Sequence, residues 1–157
     1  MRLQKLDNTT RKKTEHEISR INKLFASGKP LLDLCRLREP DFVEASAAGS
    51  FLQSFYNGVE SIILLLFKGI GEKIPVDLQW HKKLFEMAFQ STATRPLLFR
   101  SECKEQLAEY LSFRHFFRHS YGSEIDWKRL KPLVTEVEAL WNALERDINE
   151  FVKTIAQ

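Results

Sequence analysis

Residues 51–68 read FLQSFYNGVESIILLLFK, and this stretch decides the fold. Its apolar side chains recur every three or four positions, which is the spacing of one face of an α-helix. The longest wholly apolar run, residues 62–67, is far too short to span a bilayer and predicts a buried helix segment. We therefore expect a core helix that runs to about Lys68 and is broken by Gly69 and Gly71. The residues on its apolar face are Phe51, Phe55, Val59, Ile62, Ile63 and Leu66.

The chain before this core helix predicts one further long helix. Apolar residues at helical spacing indicate a first helix from about Leu3 to Ser27. Gly28 and Pro30 are typical of a helix end, so an irregular connection is expected after them. Pro40 stands where the first turn of the next helix tolerates proline. The apolar stripe of the first helix consists of Ile18, Ile21, Leu24 and Phe25.

Three more helices are expected after the core helix. A short one fits residues 77–90, and residues 92–96 form a break. Ser101 is a good N-cap for a fourth helix that stops at Gly122. Asp126 is expected to cap the last helix, which carries a long apolar stripe. The members of that stripe are Leu130, Leu133, Val137, Leu140, Trp141, Leu144, Ile148 and Phe151.

Helical periodicity dominates the whole chain, and no segment shows the sustained alternation of a half-buried strand. The predicted fold class is all-α, an antiparallel bundle of four or five helices. A length of 157 residues suits one domain with a single core, so residues 1–157 are expected to form one unit. The hydrophobic fraction of 43% and the charged fraction of 29% are ordinary for a soluble globular protein.

The cysteines and the N-terminus indicate the compartment. Cys35 and Cys103 lie far apart without a CxxC partner, which favours buried thiols in a reducing compartment. Residues 1–17 contain no apolar stretch of the kind found in a signal peptide. We expect a soluble cytoplasmic protein without membrane contact.

The segment with the most chemical content is residues 114–121, RHFFRHSY. On a helix that turns by about 100° per residue, Arg114 is placed at zero and Arg118 at roughly 40°. His115 then falls at roughly 100°, His119 at 140° and Tyr121 at 340°, on the Arg114 side. One face is therefore cationic and titratable, whereas the phenylalanines lie on the other. Fixed positive charge beside imidazoles that titrate near neutrality is suited to binding and cleaving a phosphodiester.

Each of these residues also has a simpler interpretation. Arg114 and Arg118 repel each other at i, i+4 spacing without an acid between them, which suggests an anionic partner such as phosphate. The alternative is a solvated basic face, or a pair neutralised by acids on another helix. His115 and His119 have the spacing of a metal-binding pair, but without a nearby acid this is weak evidence, and no metal is predicted. Tyr121 could equally be a half-buried aromatic residue with a solvated hydroxyl.

Positive charge is concentrated around this segment. Residues 112–131 contain five Lys or Arg and two Asp or Glu, a net charge of +3 that equals the net charge of the whole chain. The rest of the sequence is therefore balanced, and the excess lies beside the histidines. Two other motifs are more typical of structural roles. Trp80 and His81 are more typical of packing, and residues 69–71 are typical of a helix stop rather than a phosphate loop.

These residues resemble a known family. Arg114, four intervening residues, His119, Ser120 and Tyr121 fit the R-x4-H-x-Y signature of the HEPN ribonucleases. More narrowly, the chain resembles the HepT-type toxins, which are encoded with a minimal nucleotidyltransferase antitoxin of the MntA type. Three segments carry the likeness, and together they cover about residues 40 to 140. They are FYNGVE at 55–60, DLQWHKKL at 77–84, and residues 113–121 followed by Ile125, Asp126 and Trp127, which lie in a motif region of residues 101–131.

The resemblance implies an activity and a site. It implies a homodimeric helical bundle that cuts RNA, with tRNA and mRNA among the candidate substrates, without metal or cofactor. His119 would be the general base or acid at the ribose 2′-hydroxyl or the leaving 5′-oxygen, and Arg114 would orient the scissile phosphate. Arg118 and His115 would support substrate binding. A dimer would bring two copies of Arg114 and His119 into one cleft, although about 140° separates them on one helix.

The resemblance also implies regulation. In the family, the motif tyrosine accepts AMP from the antitoxin, so Tyr121 is the expected acceptor. The added phosphate would neutralise nearby arginines and occupy the RNA phosphate site. Two other functions remain open at this point. One is a catalytically silent helical subunit that binds nucleotide or substrate for a nucleotidyltransferase, and the other is a helical module whose basic face docks an acidic protein.

Overall fold

The computed structural model describes residues 5–156, in which the extended secondary-structure elements are all helices and no β-strand is present. Five α-helices are present, which confirms the predicted fold class. Short 3-10 turns lie at Ser101–Cys103 and Gly122–Glu124. The helices are α1 Asn8–Leu37, α2 Phe42–Gly69, α3 Trp80–Ala88, α4 Lys104–His119 and α5 Trp127–Ala156.

Helix α2 is the centre of the bundle, as its apolar face predicted. It contacts the other four helices, and all six residues of the predicted face are buried. Phe55 is fully buried and meets Phe25, Tyr110 and Trp141 edge to face, with ring centroids 5.8, 5.5 and 6.3 Å away. By length and composition α2 could cross a membrane, but here most of its apolar side chains from Ala48 to Phe67 pack inside the bundle. The predicted stripe of α5 is buried throughout as well.

Helix α1 is longer than the sequence predicted. It continues through Gly28 and Pro30 to Leu37, so the expected connection after residue 28 is wrong; the predicted start at Leu3 lies outside the described residues. The continuation buries Leu32 and Cys35 in the core. An interior proline costs about 3 kcal/mol through its lost hydrogen bond and ring clash. Burial of the last two turns offsets that cost, and Pro30 itself is exposed, on the solvated side of the helix.

The beginning of α2 is set by a capping box rather than by Pro40. The Asp41 carboxylate accepts the Glu44 backbone N–H at 2.8 Å, and the Glu44 carboxylate accepts the Asp41 N–H at 2.9 Å. Pro40 therefore precedes the helix instead of occupying its first turn. The end at Gly69 is as predicted, with Gly71 at a φ of 80°.

The shorter helices also differ from the predicted bounds. Helix α3 covers only Trp80–Ala88, because the Asp77 side chain accepts the Gln79 N–H in a turn that delays the helix. Ser101 begins a 3-10 turn and makes no side-chain cap. Asp126 caps α5 as expected, with its carboxylate accepting the Lys128 N–H at 3.1 Å. Cys35 is buried and Cys103 half-buried, and both are free thiols.

Candidate functional site

The last two turns of α4 carry the predicted motif, and aromatic packing fixes their position. Phe113 is buried, and its ring stacks on Phe117 with centroids 5.9 Å apart. Phe117 lies directly on the backbone of Gly49 in α2, where a Cβ would be 2.5 Å from the ring. The glycine therefore allows α4 to approach α2 closely. This packing turns the opposite face of α4 toward solvent.

His115 and His119 lie together on that face, as their spacing predicted. Both are exposed, and their rings meet edge to face with centroids 4.9 Å apart. Within residues 5–156, no group of three or more His, Cys, Asp or Glu side chains is arranged to hold a metal ion. The two imidazoles are thus a solvent-facing pair of groups that can accept or donate protons.

Arg114 has a partner that the sequence analysis missed. Its Nε–H donates to the Oδ1 of Asn57 on α2, and the side chain is half-buried. No carboxylate in the described part of the chain forms an ion pair with it. The sequence contained only a weak indication of this contact, namely that Asn57 is a polar residue in the FYNGVE segment of a largely apolar helix. Local spacing could not reveal a contact across 57 residues of sequence.

Arg118 is exposed, and its charge is not neutralised inside the described chain. None of the ion pairs among residues 5–156 involves a side chain of residues 112–131. Arg129, from the first turns of α5, lies over the Phe116 ring at 4.7 Å and donates to the Ser112 hydroxyl at 3.4 Å. The sequence left two simpler interpretations of the arginine pair: a solvated basic face, or neutralisation by acids on another helix. In the described residues no acid on another helix neutralises Arg114 or Arg118.

Tyr121 differs from the prediction in its backbone. The helix ends at His119, and both Ser120 and Tyr121 are extended, with ψ of 155° and 151°. The Ser120 hydroxyl donates to the Phe116 carbonyl at 2.6 Å and thereby satisfies a carbonyl of the last turn. The helical-wheel position given to Tyr121 is therefore wrong. Its side chain is 80% exposed, so it is not the half-buried aromatic of the simpler interpretation.

The other two tyrosines are in the core. Tyr56 and Tyr110 are 0% and 1% exposed. Tyr110 donates to the Leu133 carbonyl at 2.7 Å, and burial raises the pKa of its phenol. Burial likewise raises the pKa of Tyr56, an effect that Glu60 reinforces and Arg114 opposes. Tyr121 is therefore the one tyrosine of the three with a phenol that another macromolecule could reach.

His81 is held by a contact that sequence reasoning also missed. Its Nδ1 lies 2.8 Å from the Oε2 of Glu60, a buried carboxylate on α2, and its ring stacks on Trp80 with centroids 3.6 Å apart. This contact gives the buried Glu60 side chain a polar partner and joins α3 to α2. The interpretation of residues 80 and 81 as packing residues agrees with these contacts.

His115 and His119 are exposed to solvent and do not line the best-defined clefts of the described chain. A cleft of about 390 Å³ lies instead between α1 and α2, with Glu17, Arg20 and Asn57 among its lining residues. Open, positively charged surfaces suit extended polyanions better than small enclosed ligands. The arrangement therefore offers cationic binding groups and proton-transfer groups side by side.

Comparison with known proteins identifies the family. Neither the curated proteins nor the solved structures gave a significant match to this chain. A family model described as HepT-like protein matches residues 47–155, well over half of the chain. The match includes all of α4, with Arg114 and His119, and nearly all of α5. The resemblance is thereby confirmed: the protein belongs to the HepT-like family, whose general class is the HEPN-type toxins and whose general activity is that of a ribonuclease.

Proposed function

We propose that this protein is the toxin of a type II-like toxin–antitoxin pair and a metal-independent RNA endonuclease. One observation carries the proposal: His115, Arg118 and His119 are exposed on α4, half-buried Arg114 lies on the same two turns, and no carboxylate of the described chain forms an ion pair with any of them. A phosphodiester supplies the missing negative charge, and the imidazoles supply proton transfer.

The proposed reaction is an internal transesterification of RNA. The ribose 2′-oxygen attacks the adjacent phosphorus, a P–O2′ bond forms, and the P–O5′ bond breaks. The products are a 2′,3′-cyclic phosphate and a 5′-hydroxyl. His119 takes the proton of the 2′-hydroxyl or gives one to the leaving 5′-oxygen. Arg114 binds the scissile phosphate and stabilises its developing charge, and Arg118 and His115 hold the flanking RNA.

Dimerisation is part of the proposal. Arg114 is directed toward α2, whereas His119 is exposed at the end of α4, and no hydrogen bond joins them in residues 5–156. A second copy related by a two-fold axis would supply the complementary pair and the second proton-transfer group. We expect native mass spectrometry to show a dimer, and a monomer that cleaves RNA at full rate would contradict this part.

The deciding experiment is cleavage of total RNA and tRNA by purified protein in excess EDTA. His119→Ala is expected to lower the rate by roughly 10² to 10⁴, because proton transfer contributes about that much. His16→Ala is the matched control, since His16 is another exposed histidine, on α1. Both variants should keep the helical circular dichroism of the wild type.

Two results would contradict the proposal. Cleavage that needs added metal would remove the metal-independent mechanism. Absence of cleavage by a wild type of unmodified intact mass would favour the non-catalytic subunit of a nucleotidyltransferase instead. Intact mass is essential, because a preparation already carrying AMP would also be inactive.

We further propose that an MntA-like antitoxin silences the toxin by transferring AMP to Tyr121. The phenol oxygen would attack the α-phosphorus of ATP, an O–P bond would form, and pyrophosphate would leave while the phenol proton passes to a base or solvent. The support is accessibility, because Tyr121 is 80% exposed and the other two tyrosines are buried. The new phosphate would compete with RNA for the arginines.

The test incubates the toxin with purified antitoxin and ATP. Wild type should gain the mass of one AMP and lose cleavage, whereas Tyr121→Phe should remain unmodified and active. Tyr110→Phe is unsuitable as a control because Tyr110 is buried, so wild type with antitoxin but without ATP serves instead. Modification and inactivation of Tyr121→Phe by the antitoxin would refute the assignment.

A further inference from the structure

We propose that Asn57 is a positioning residue that aims the Arg114 guanidinium at RNA phosphate; this inference rests on the proposed ribonuclease function. The contact uses only one edge of the guanidinium, because the Nε–H donates to the Asn57 Oδ1. Neither Nη nitrogen of Arg114 has a hydrogen-bond partner within residues 5–156. Some side-chain nitrogen and oxygen atoms of the described chain are both fully buried and without a hydrogen-bond partner, but the two Nη nitrogens of Arg114 are not among them. Because they lack a partner, they are not fully buried and therefore reach solvent. The two Nη groups are therefore left to bind a phosphate.

The chemistry of the acceptor matters as much as its position. An amide oxygen fixes the orientation of the guanidinium without neutralising its charge, whereas a carboxylate would do both. Arg38 shows the alternative in the same molecule. Its two Nη nitrogens bind the two carboxylate oxygens of Glu44, each at 2.8 Å. Arg114 presents the same pair of donors unoccupied, with its full positive charge.

The anchor of this contact is rigid. Asn57 is exposed, but its neighbours Phe55, Tyr56 and Val59 are fully buried in the central helix. The backbone of Asn57 is therefore held by the core of the bundle, and its amide reaches Arg114 from a fixed point on α2. A donor pair held on such an element is pre-oriented before RNA arrives, and pre-orientation is worth far more than the strength of one exposed hydrogen bond.

The experiment separates orientation from charge with two variants and one control. Asn57→Ala removes the acceptor, and Asn57→Asp keeps an acceptor but adds a negative charge. Ser54→Ala is the matched control, one turn earlier on α2 and also exposed. Three readouts are taken: the solvent exchange of the Arg114 Nε–H by ¹⁵N NMR, assigned with Arg114→Lys; kcat and KM for RNA cleavage; and binding of uncleavable 2′-O-methyl RNA by fluorescence anisotropy.

The expected pattern is specific to a positioning role. In Asn57→Ala the Nε–H should exchange faster and kcat/KM should fall by roughly 10- to 100-fold, as expected for a misplaced binding group, with an unchanged melting temperature. In Asn57→Asp the exchange should stay slow, while RNA binding weakens through charge neutralisation. Ser54→Ala should match the wild type in all three. In an Arg114→Ala background, Asn57→Ala should have no further effect.

Two outcomes overturn the inference. If wild type cleaves RNA and Asn57→Ala cleaves equally well, Asn57 does not position Arg114, although the ribonuclease function stands. If wild type of unmodified intact mass cleaves no RNA, that function is wrong, and the anisotropy measurement tests the role of Asn57 separately. Weaker binding by Asn57→Ala than by Ser54→Ala then still supports a phosphate-directed role, whereas equal binding refutes it.

Discussion

Arg95 and Arg114 both donate hydrogen bonds to acceptors from other parts of the chain. The two residues differ in the number and the charge of these acceptors, and in how far their guanidinium groups are buried. Arg95 is 3% exposed. Its guanidinium donates to the Glu72 carboxylate and to three backbone carbonyls, and its carbon lies 4.2 Å above the Phe67 ring. Arg114 has a single neutral acceptor, and its remaining donors face solvent.

The difference separates a structural arginine from one that is available for binding. Around Arg95 every nitrogen has an acceptor, so the side chain has no capacity for a ligand and acts as a clamp on residues 87–96. Around Arg114 the protein orients the guanidinium through a neutral acceptor and leaves its positive charge without a carboxylate partner. The number and charge of the acceptors are thus a better guide to function than the depth of burial alone.

The largest expected effect is the loss of stability when the Arg95 clamp is removed. We expect Arg95→Ala to lower the free energy of unfolding by about 3 to 5 kcal/mol, because it leaves the Glu72 carboxylate and three carbonyls without their donor. Urea denaturation followed by circular dichroism measures it. A loss below about 1 kcal/mol would mean that solvent replaces the clamp easily and that the two arginines are not different in kind.

The next effect concerns how the Arg114 region is held. Gly49→Ala would place a methyl group 2.5 Å from the Phe117 ring and push α4 away from α2. We expect a loss of about 1 to 3 kcal/mol in unfolding free energy, the usual cost of overpacking. RNA cleavage should fall too, since the α4 face moves. Ser50→Ala is a suitable control, because Ser50 is exposed on the same helix and the substitution also introduces alanine.

A smaller effect on stability is expected for Arg114 itself. Arg114→Ala removes one partly exposed hydrogen bond, so the unfolding free energy should change by no more than about 0.5 to 1.5 kcal/mol. RNA cleavage should nevertheless be lost by roughly 10² to 10³. Parallel denaturation and cleavage assays make the comparison. A variant that unfolds as readily as Arg95→Ala would show that Arg114 is a second structural clamp.

The smallest effect belongs to Arg38, whose Nη pair is occupied but exposed. The Arg38 side chain, and next the Asp41 N–H, hold the pKa of the Glu44 carboxylate below its ordinary value of 4.5. This contribution to stability is therefore complete above that pH and is lost as the pH falls through the lowered value. The stability difference between wild type and Glu44→Gln should shrink on acidification from pH 6 to 3. A difference independent of pH would contradict the assignment.

Periodic features of the sequence predicted the fold well, and single local signals did not. The faces of α2 and α5 were correct because burial imposes the helical period over many residues. His115 and His119 were paired correctly by the same argument. Gly28 and Pro30 failed as a helix stop because burial of Leu32 outweighs local preference.

The remaining errors concern contacts that no local pattern contains. Asn57 meets Arg114 only because α2 and α4 pack side by side, and the Glu60–His81 contact depends on α3 folding back onto α2. Tyr121 was misplaced because the wheel assumed a helix to Gly122, whereas the Ser120 hydroxyl bonds the last turn and the backbone leaves it. The sequence alone identified the signature residues, whereas the side chains that contact them could be found only from the fold.

The early end of α4 has a consequence for the accessibility of the peptide backbone. Enzymes that modify or cut a chain commonly grip several residues of extended backbone, and a helical substrate must first be unwound. At Ser120 and Tyr121 the backbone is already extended between two helices, and the Tyr121 side chain is exposed, so these two residues need no unwinding. The same geometry makes this junction a natural site for proteolytic nicking between α4 and α5. A bulky group on the phenol would shield the junction from a protease without altering any helix.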